Sequence, residues 1–306
     1  MKRLGVIGTM VWDTIHGRDP ASGPVEEWGG IAYALSALDA ALGDDWEIVP
    51  LVKVGADCAA GAGTFLRSLR HVAPGARFIE VPEPNNRVTL RYVTSERRCE
   101  GMRGGVPPWT WAELGPMIRD LDALYVNFIS GFELSLDTAR LVRRAFSGFL
   151  YADLHSLFLA KAPDGTRTPQ TLADGPGWFG CYDVVQLNEE EMAQLGPDAM
   201  TAAAGALAEG CDVLCVTLGA RGAAYFTGRP VRTTRIAPPD PGPGPRDAGD
   251  PTGCGDVFGA TAAAALLQGT ALEAALTLAA ARAARNVTFR GASGLRDHLL
   301  GRLAGV

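Results

Sequence analysis

Short, continuous apolar runs rich in Val, Ile, Leu and Tyr alternate along the chain with longer Ala/Leu stretches of helical period, the pattern of a mostly parallel sheet covered by helices. The runs predict strands at Leu4 to Gly8, Ile48 to Val54, Ala123 to Phe128, Phe149 to Asp153, Val184 to Asn188 and Val213 to Leu218. Each is continuous rather than alternating, as strands buried on both faces are. Helices are predicted between them, among others at Ile31 to Leu42, Cys58 to Arg70 and Leu136 to Phe146. The expectation is a single α/β domain over residues 1–306, a three-layer α/β/α sandwich with a mostly parallel central sheet.

One region breaks the alternation. Arg77 to Val81 and Arg87 to Thr94 read as strands joined by the turn-forming Pro-Glu-Pro-Asn-Asn, with no helix between them. With the irregular stretch Ile15 to Glu27 they predict a small β lid, built from about residues 12–28 and 77–105. It would fold over a site at the carboxyl ends of the main strands, where open α/β sheets bind ligands. The Pro/Gly run Pro238 to Pro245 reads as a connecting loop.

Charge narrows the partners. With 28 Lys+Arg against 34 Asp+Glu, the 306 residues carry a formal charge of -6, which gives no reason to expect nucleic acid or an anionic membrane surface. Cys58, Cys99, Cys181, Cys211, Cys215 and Cys254 lack zinc-type spacing, and MKRLGVIG runs directly into a strand pattern, so a reducing cytoplasm is expected. The longest apolar tract, Ala260 to Leu267, is too short to span a bilayer and reads as a buried helix.

The densest chemistry lies at Asp250-Pro251-Thr252-Gly253-Cys254-Gly255-Asp256, a glycine-rich turn feeding the Ala-rich stretch Val257 to Leu267. Amides at a helix start point outward unpaired, and the helix dipole adds positive potential, so such a turn holds an anion. Gly253 and Gly255 let backbone approach a phosphate closely. An acidic residue there would repel the anion unless it has another task. Asp256, held near a substrate hydroxyl, could accept its proton as the oxygen attacks a γ-phosphoryl group. The same residues also read as a helix cap, with Thr252 as N-cap and Asp256 favouring the dipole.

This segment resembles the carboxyl-terminal signature D-T-x-G-A-G-D of the ribokinase-like, or PfkB-type, carbohydrate kinases. Five further features in family order resemble that pattern: Gly29-Gly30; Val52 to Asp57 followed by Gly61 and Leu66; Ser130-Gly131; Asn188-Glu189-Glu190-Glu191 as N-x-x-E; and Thr217-Leu218-Gly219-Ala220-Arg221-Gly222 as T-x-G-x-x-G. The resemblance implies a ribokinase-like fold and an ATP-dependent kinase that phosphorylates a hydroxyl, a primary alcohol, of a sugar or sugar-like molecule. It implies Asp256 as base, the amides of Gly253, Cys254 and Gly255 as anion hole, and Asp13, Gly29, Gly30 and Tyr33 at the acceptor. Asn188, Thr217, Gly219, Gly222 and Asn286 would face the nucleotide, with Gly291 beside them, and Asn188 and Glu191 would organise Mg²⁺ through water. A monovalent cation and a homodimer through the lid are further family expectations. Local readings stand beside these: a helix-start carboxylate for Glu191, a tight turn for residues 217–222, and a helix-surface residue for Asn286.

The chain departs from the family at the acceptor end. Ala34 stands where many sugar kinases carry an Asn. Asp153-Leu154-His155 replaces the usual D-x-N-x-R, so His155 is either a donor near the phosphates or a packed loop residue. Trp12, Trp28, Tyr33 and Phe128 could line a stacking surface or the core, which keeps a nucleoside acceptor in view. Arg87, Arg91, Arg97, Arg98 and Arg103 concentrate on the lid, to neutralise phosphates or to keep an edge soluble. Cys254, where the family favours Ala, places a thiol at a helix start. A non-catalytic ligand sensor on a kinase scaffold is the competing class. A dinucleotide-dependent oxidoreductase is excluded because Gly5 to Met10 lacks the G-x-G-x-x-G turn.

Overall fold

All six apolar runs form strands in the computed structural model, which describes residues 1–17, 23–92, 98–238 and 250–305. The strands are β1 (Lys2–His16), β2 (Val25–Gly30), β3 (Trp46–Gly55), β4 (Ile79–Val81), β5 (Arg87–Tyr92), β6 (Arg98–Arg103), β7 (Ala123–Asn127), β8 (Phe149–Asp153), β9 (Leu159–Lys161), β10 (Thr166–Pro169), β11 (Val184–Asn188), β12 (Val213–Thr217), β13 (Ala223–Thr227) and β14 (Arg232–Ile236). The helices are α1 (Ile31–Ala41), α2 (Ala59–Ser68), α3 (Trp111–Met117), α4 (Leu136–Ala145), α5 (Gly175–Phe179), α6 (Glu189–Leu195), α7 (Ala199–Ala208), α8 (Cys254–Leu267), α9 (Leu272–Asn286) and α10 (Leu295–Leu299).

The central sheet runs β14-β13-β12-β11-β8-β7-β1-β3-β4, parallel from β12 to β4 and closed at the other edge by the antiparallel β13 and β14. Two apolar clusters cover its faces. One includes residues of α1, α2, α8, α9 and α10, the other residues of α3 to α7. The three-layer architecture is therefore as the periodicity predicts. Helix α8 is buried from Val257 to Ala265, and its small side chains let it lie close to the sheet. A Cβ at Gly259 would stand 2.6 Å from Gln186 Oε1 and 2.8 Å from the Tyr125 hydroxyl.

The lid differs in construction from the expectation. Residues 2–9 of β1 pair with β3 in the central sheet, while residues 10–16 of the same strand pair with β2 and β5. The lid sheet continues through β6, β10 and β9. Of the two strands expected there, only Arg87–Tyr92 belongs to it; Ile79–Val81 pairs parallel with β3 and extends the central sheet. Much of the stretch read as irregular is strand, namely the end of β1 and the start of β2. Residues 18–22, Arg97 and most of the Pro238 to Pro245 run lie outside the described residues.

Strand alternation sorts the lid side chains. Asp13, Val88, Leu90 and Met102 share one face and are buried, whereas the exposed Arg87, Arg91 and Arg103 occupy the other. Trp12 and Trp28 are cross-strand partners on that second face, packed edge to face at 5.2 Å. They therefore lie opposite Asp13 and form no stacking wall with it. Phe128 packs on Trp178 in the core.

Candidate active site

The signature loop is braced on three sides before α8 begins. The Thr252 amide donates to Asp250 Oδ1 at 2.9 Å, and the Asp250 amide donates to the Val287 carbonyl at 2.9 Å. The Asn286 amide group donates to the Thr252 carbonyl at 2.9 Å. From the lid, the Tyr92 and Thr252 hydroxyls share a 2.7 Å hydrogen bond. Thr252 thus spends its hydroxyl on the lid and does not cap α8, whose N-cap is Gly253.

Gly253 and Gly255 have different reasons to be glycine. At Gly253, φ is +78°, and a Cβ would fall 2.3 Å from the Tyr33 ring, so the protein itself demands it. At Gly255 a Cβ would meet nothing among the described residues closer than the Gln186 amide at 3.8 Å. No described residue requires that gap, and a glycine in a helix costs roughly 1 kcal/mol relative to alanine. The amides of Gly253 and Gly255 have no partner among the described residues, whereas that of Cys254 donates to the Pro251 carbonyl at 3.1 Å. The Cys254 thiol is turned onto α9, 3.4 Å from the Ala283 carbonyl.

Asp256 sits in the first turn of α8, above the carboxyl ends of β7, β8 and β11. The Asn127 amide donates to its Oδ1 at 2.7 Å. Below the same turn, Gln186 Nε2 donates to Asp153 Oδ2 at 2.8 Å and to the Gly255 carbonyl at 3.0 Å, while the Tyr151 hydroxyl donates to Gln186 Oε1 at 2.8 Å. Asp153 in turn faces His155: its Oδ1 accepts from the His155 amide at 3.1 Å and lies 3.4 Å from the ring Nδ1. Burial disfavours the imidazolium, but Asp153, with help from Asp256 and Glu191, outweighs it and holds His155 up at about 9. One ligand-type atom each from Asp153, His155 and Asp256 lies within 4.8 Å of the others. With His155 protonated, the imidazolium itself supplies the positive charge between the two carboxylates.

The expected acceptor residues are brought together. Asp13 is buried on the inner lid face, and a Cβ at Gly29 would overlap its carboxylate at 1.7 Å from Oδ2. Gly30, at φ +57°, starts α1, and a Cβ there would stand 2.7 Å from the Thr9 carbonyl. Tyr33 is buried among Asp13, Asp250 and Asp256, and its hydroxyl is held protonated by burial and then by those charges. Ala34 is fully buried on α1.

The expected nucleotide residues lie on separate elements. Asn188 and Glu191 form a capping box on α6: the Asn188 amide donates to Glu191 Oε2 at 2.7 Å, and the Glu191 amide to Asn188 Oδ1 at 2.9 Å. Burial raises Glu191 to about 7, His155 opposing. Thr217 ends β12. Gly219, at φ +58°, and Gly222, at φ +89°, make the tight turn into β13, where a Cβ on Gly222 would meet the Ile236 carbonyl at 2.3 Å. Asn286 is fully buried behind the signature loop, and Gly291 packs against Glu27, 2.1 Å from a would-be Cβ.

Two organising residues carry no local motif. Glu133, buried, accepts from the amides of Ser130 and Gly131 at 2.6 and 3.0 Å and from the Thr9 hydroxyl at 2.7 Å, which fixes the Ser130-Gly131 turn. Arg167 on β10, buried, donates to the lid's Glu100 at 2.8 Å and to the carbonyls of Ile129 and Ser130 at 2.9 and 3.1 Å.

A mixed sheet between two helical layers, a lid built on its first strand, and a glycine-rich helix start carrying Asp256 define the ribokinase-family kinase fold. Residues 163–298 match the pfkB family carbohydrate kinases, so the likeness to PfkB-type kinases read from the motifs holds. No curated protein matches the chain by sequence. Among solved structures, a sulfate complex of a pyrophosphate-dependent kinase in the ribokinase family is 18% identical at TM-score 0.78, covering 98% of this chain and 100% of that one. A Burkholderia thailandensis nucleoside kinase in complex with inosine is 16% identical at TM-score 0.75, with 98% and 97% covered. Arabidopsis thaliana ribokinase complexed with ribose and ATP is 17% identical at TM-score 0.70, with 100% and 99% covered. Among the described residues, no helix is long and apolar enough to cross a membrane.

Proposed function

We propose that the chain is an ATP-dependent phosphotransferase that phosphorylates a primary alcohol of a sugar or sugar-like molecule, with Asp256 as general base. The observation that carries this reading is Gly255. Its missing Cβ leaves a gap that packing among the described residues does not demand, in the helix turn that holds Asp256 and beside two amides with no partner among those residues. A ligand oxygen approaching the backbone accounts for it.

In this reading Asp13 grips acceptor hydroxyls by accepting hydrogen bonds, and Asp256 takes the proton of the reacting one. That oxygen then bonds to the γ-phosphorus as the bond to the β-phosphate oxygen breaks. The amides of Gly253 and Gly255 and the His155 imidazolium offset charge on the transferred group. Mg²⁺ would neutralise phosphate charge. The residues suit an ion held through water, because the Glu191 carboxylate is fixed by Asn188 and not free to swing in as a direct ligand. Nucleotide would lie along the turn 217–222 and the end of α9. ATP is the donor of this reading, and pyrophosphate is the control because a fold neighbour uses it.

The test is phosphoryl transfer from ATP and from pyrophosphate to a panel of sugars, polyols and nucleosides, with wild type and Asp256→Asn. The expected result is turnover with ATP and at least one acceptor, lowered on the order of 10²-fold or more by the substitution with donor binding retained. Tight acceptor binding without turnover would mark a sensor instead. Near-normal turnover in the variant would remove the base assignment.

A further inference from the structure

We propose that Asn127 is the positioning residue for Asp256, an assignment that rests on the kinase reading for its consequence in turnover but not for its geometry. Asn127 ends β7, is fully buried and is flanked in register by Asp153 of β8. Its Nδ2 donates to Asp256 Oδ1 at 2.7 Å, across 129 residues of sequence. The orientation is fixed by charge: with the amide turned over, two oxygens would face each other at that distance.

Two further observations single out this contact. Asn127 Oδ1 is buried with no hydrogen-bond partner among the described residues, so the fold leaves one polar atom unsatisfied while the other end of the same amide holds Asp256. A buried polar atom without a partner is costly, and an apolar residue at the end of this apolar strand would avoid the cost. The donor is also neutral. An Arg or Lys in its place would orient the carboxylate equally well, but would stabilise the ionised form so strongly that Asp256 would become a poor proton acceptor. An amide orients the base without adding a charge of its own.

The experiment compares Asn127→Leu and Asn127→Asp in wild-type and Asp256→Asn backgrounds. Asn127→Leu is expected to lower kcat about 10- to 100-fold with acceptor and donor KM within about twofold. In the Asp256→Asn background it is expected to change kcat by less than about twofold, because the group it acts through is gone. A substrate-free measurement runs in parallel: the carboxyl carbon resonance of Asp256, assigned by its loss in Asp256→Asn, is followed against pH. It should titrate at higher pH in Asn127→Leu than in wild type, and higher still in Asn127→Asp, where two carboxylates share a site. An unmoved titration, or an equal drop in kcat in both backgrounds, overturns the assignment. If no acceptor turns over, the kinase reading fails while the titration still decides Asn127. If Asn127→Leu does not fold, the isosteric Asn127→Asp carries the same test.

Discussion

Replacing His155 by Gln tests the charge cluster under α8. The ordinary imidazole value of 6.5 and the value of about 9 held here differ by roughly 3 kcal/mol, at about 1.4 kcal/mol per tenfold. The side chain is 28% exposed, so solvent screening reduces this, and about 1–2 kcal/mol is the working figure. The sign follows from the direction of the shift. A folded-state value above the unfolded one means that folding favours the proton, so the contribution is complete below about pH 6.5 and is lost as pH rises through about 9. Urea unfolding followed by tryptophan fluorescence, run for both proteins at about pH 6 and about pH 9.5, reads it directly. Wild type should exceed His155→Gln by about 1–2 kcal/mol more at the lower pH. A difference that is flat, or that grows with pH, would refute the idea that Asp153 holds an imidazolium here.

Other outcomes follow from the same geometry. Gly29→Ala drives a methyl into the Asp13 carboxylate and should raise acceptor KM at least 10-fold with donor KM unchanged, measured by steady-state kinetics. Arg167→Met leaves Glu100 and several loop carbonyls without their shared cation and should cost about 3–5 kcal/mol, read as a fall in the denaturant midpoint. Cys254→Ala should leave turnover within about twofold, because the thiol is turned onto α9 and the hydrogen bond from the backbone N–H of residue 254 to the Pro251 carbonyl survives.

Legibility in the sequence tracked burial. Phe149–Asp153 and Val184–Asn188 were readable to the residue, because both faces are covered and the apolar run stops where the strand does. The lid was not. Strand β2 begins Val25-Glu26-Glu27, and β9 and β10 are three and four residues long, so tertiary pairing rather than local pattern makes them strands. At the candidate site, Asp256 and the glycines at 253 and 255 belong to a local spacing, whereas Asp13 stands out only through the family resemblance. Asn127, Gln186 and Arg167 belong to none, since their partners are remote in sequence. One signal did exist. Asn127 and Gln186 are polar residues inside apolar strand runs, and a buried polar group needs a partner.

Strand β1 belongs to two sheets at once, with its first half in the core ladder and its second half in the lid. Asp13 therefore rides on the same rod whose base is laddered directly to β7, the strand that ends in Asn127. Mechanically this is a lever, not a hinged flap. A lid displacement must either bend the rod near Thr9 and Met10 or shear ladder hydrogen bonds, and in both cases the load passes to the floor of the reaction centre. Under the proposed kinase reading, loading of the acceptor end and alignment of the base would be a single elastic event.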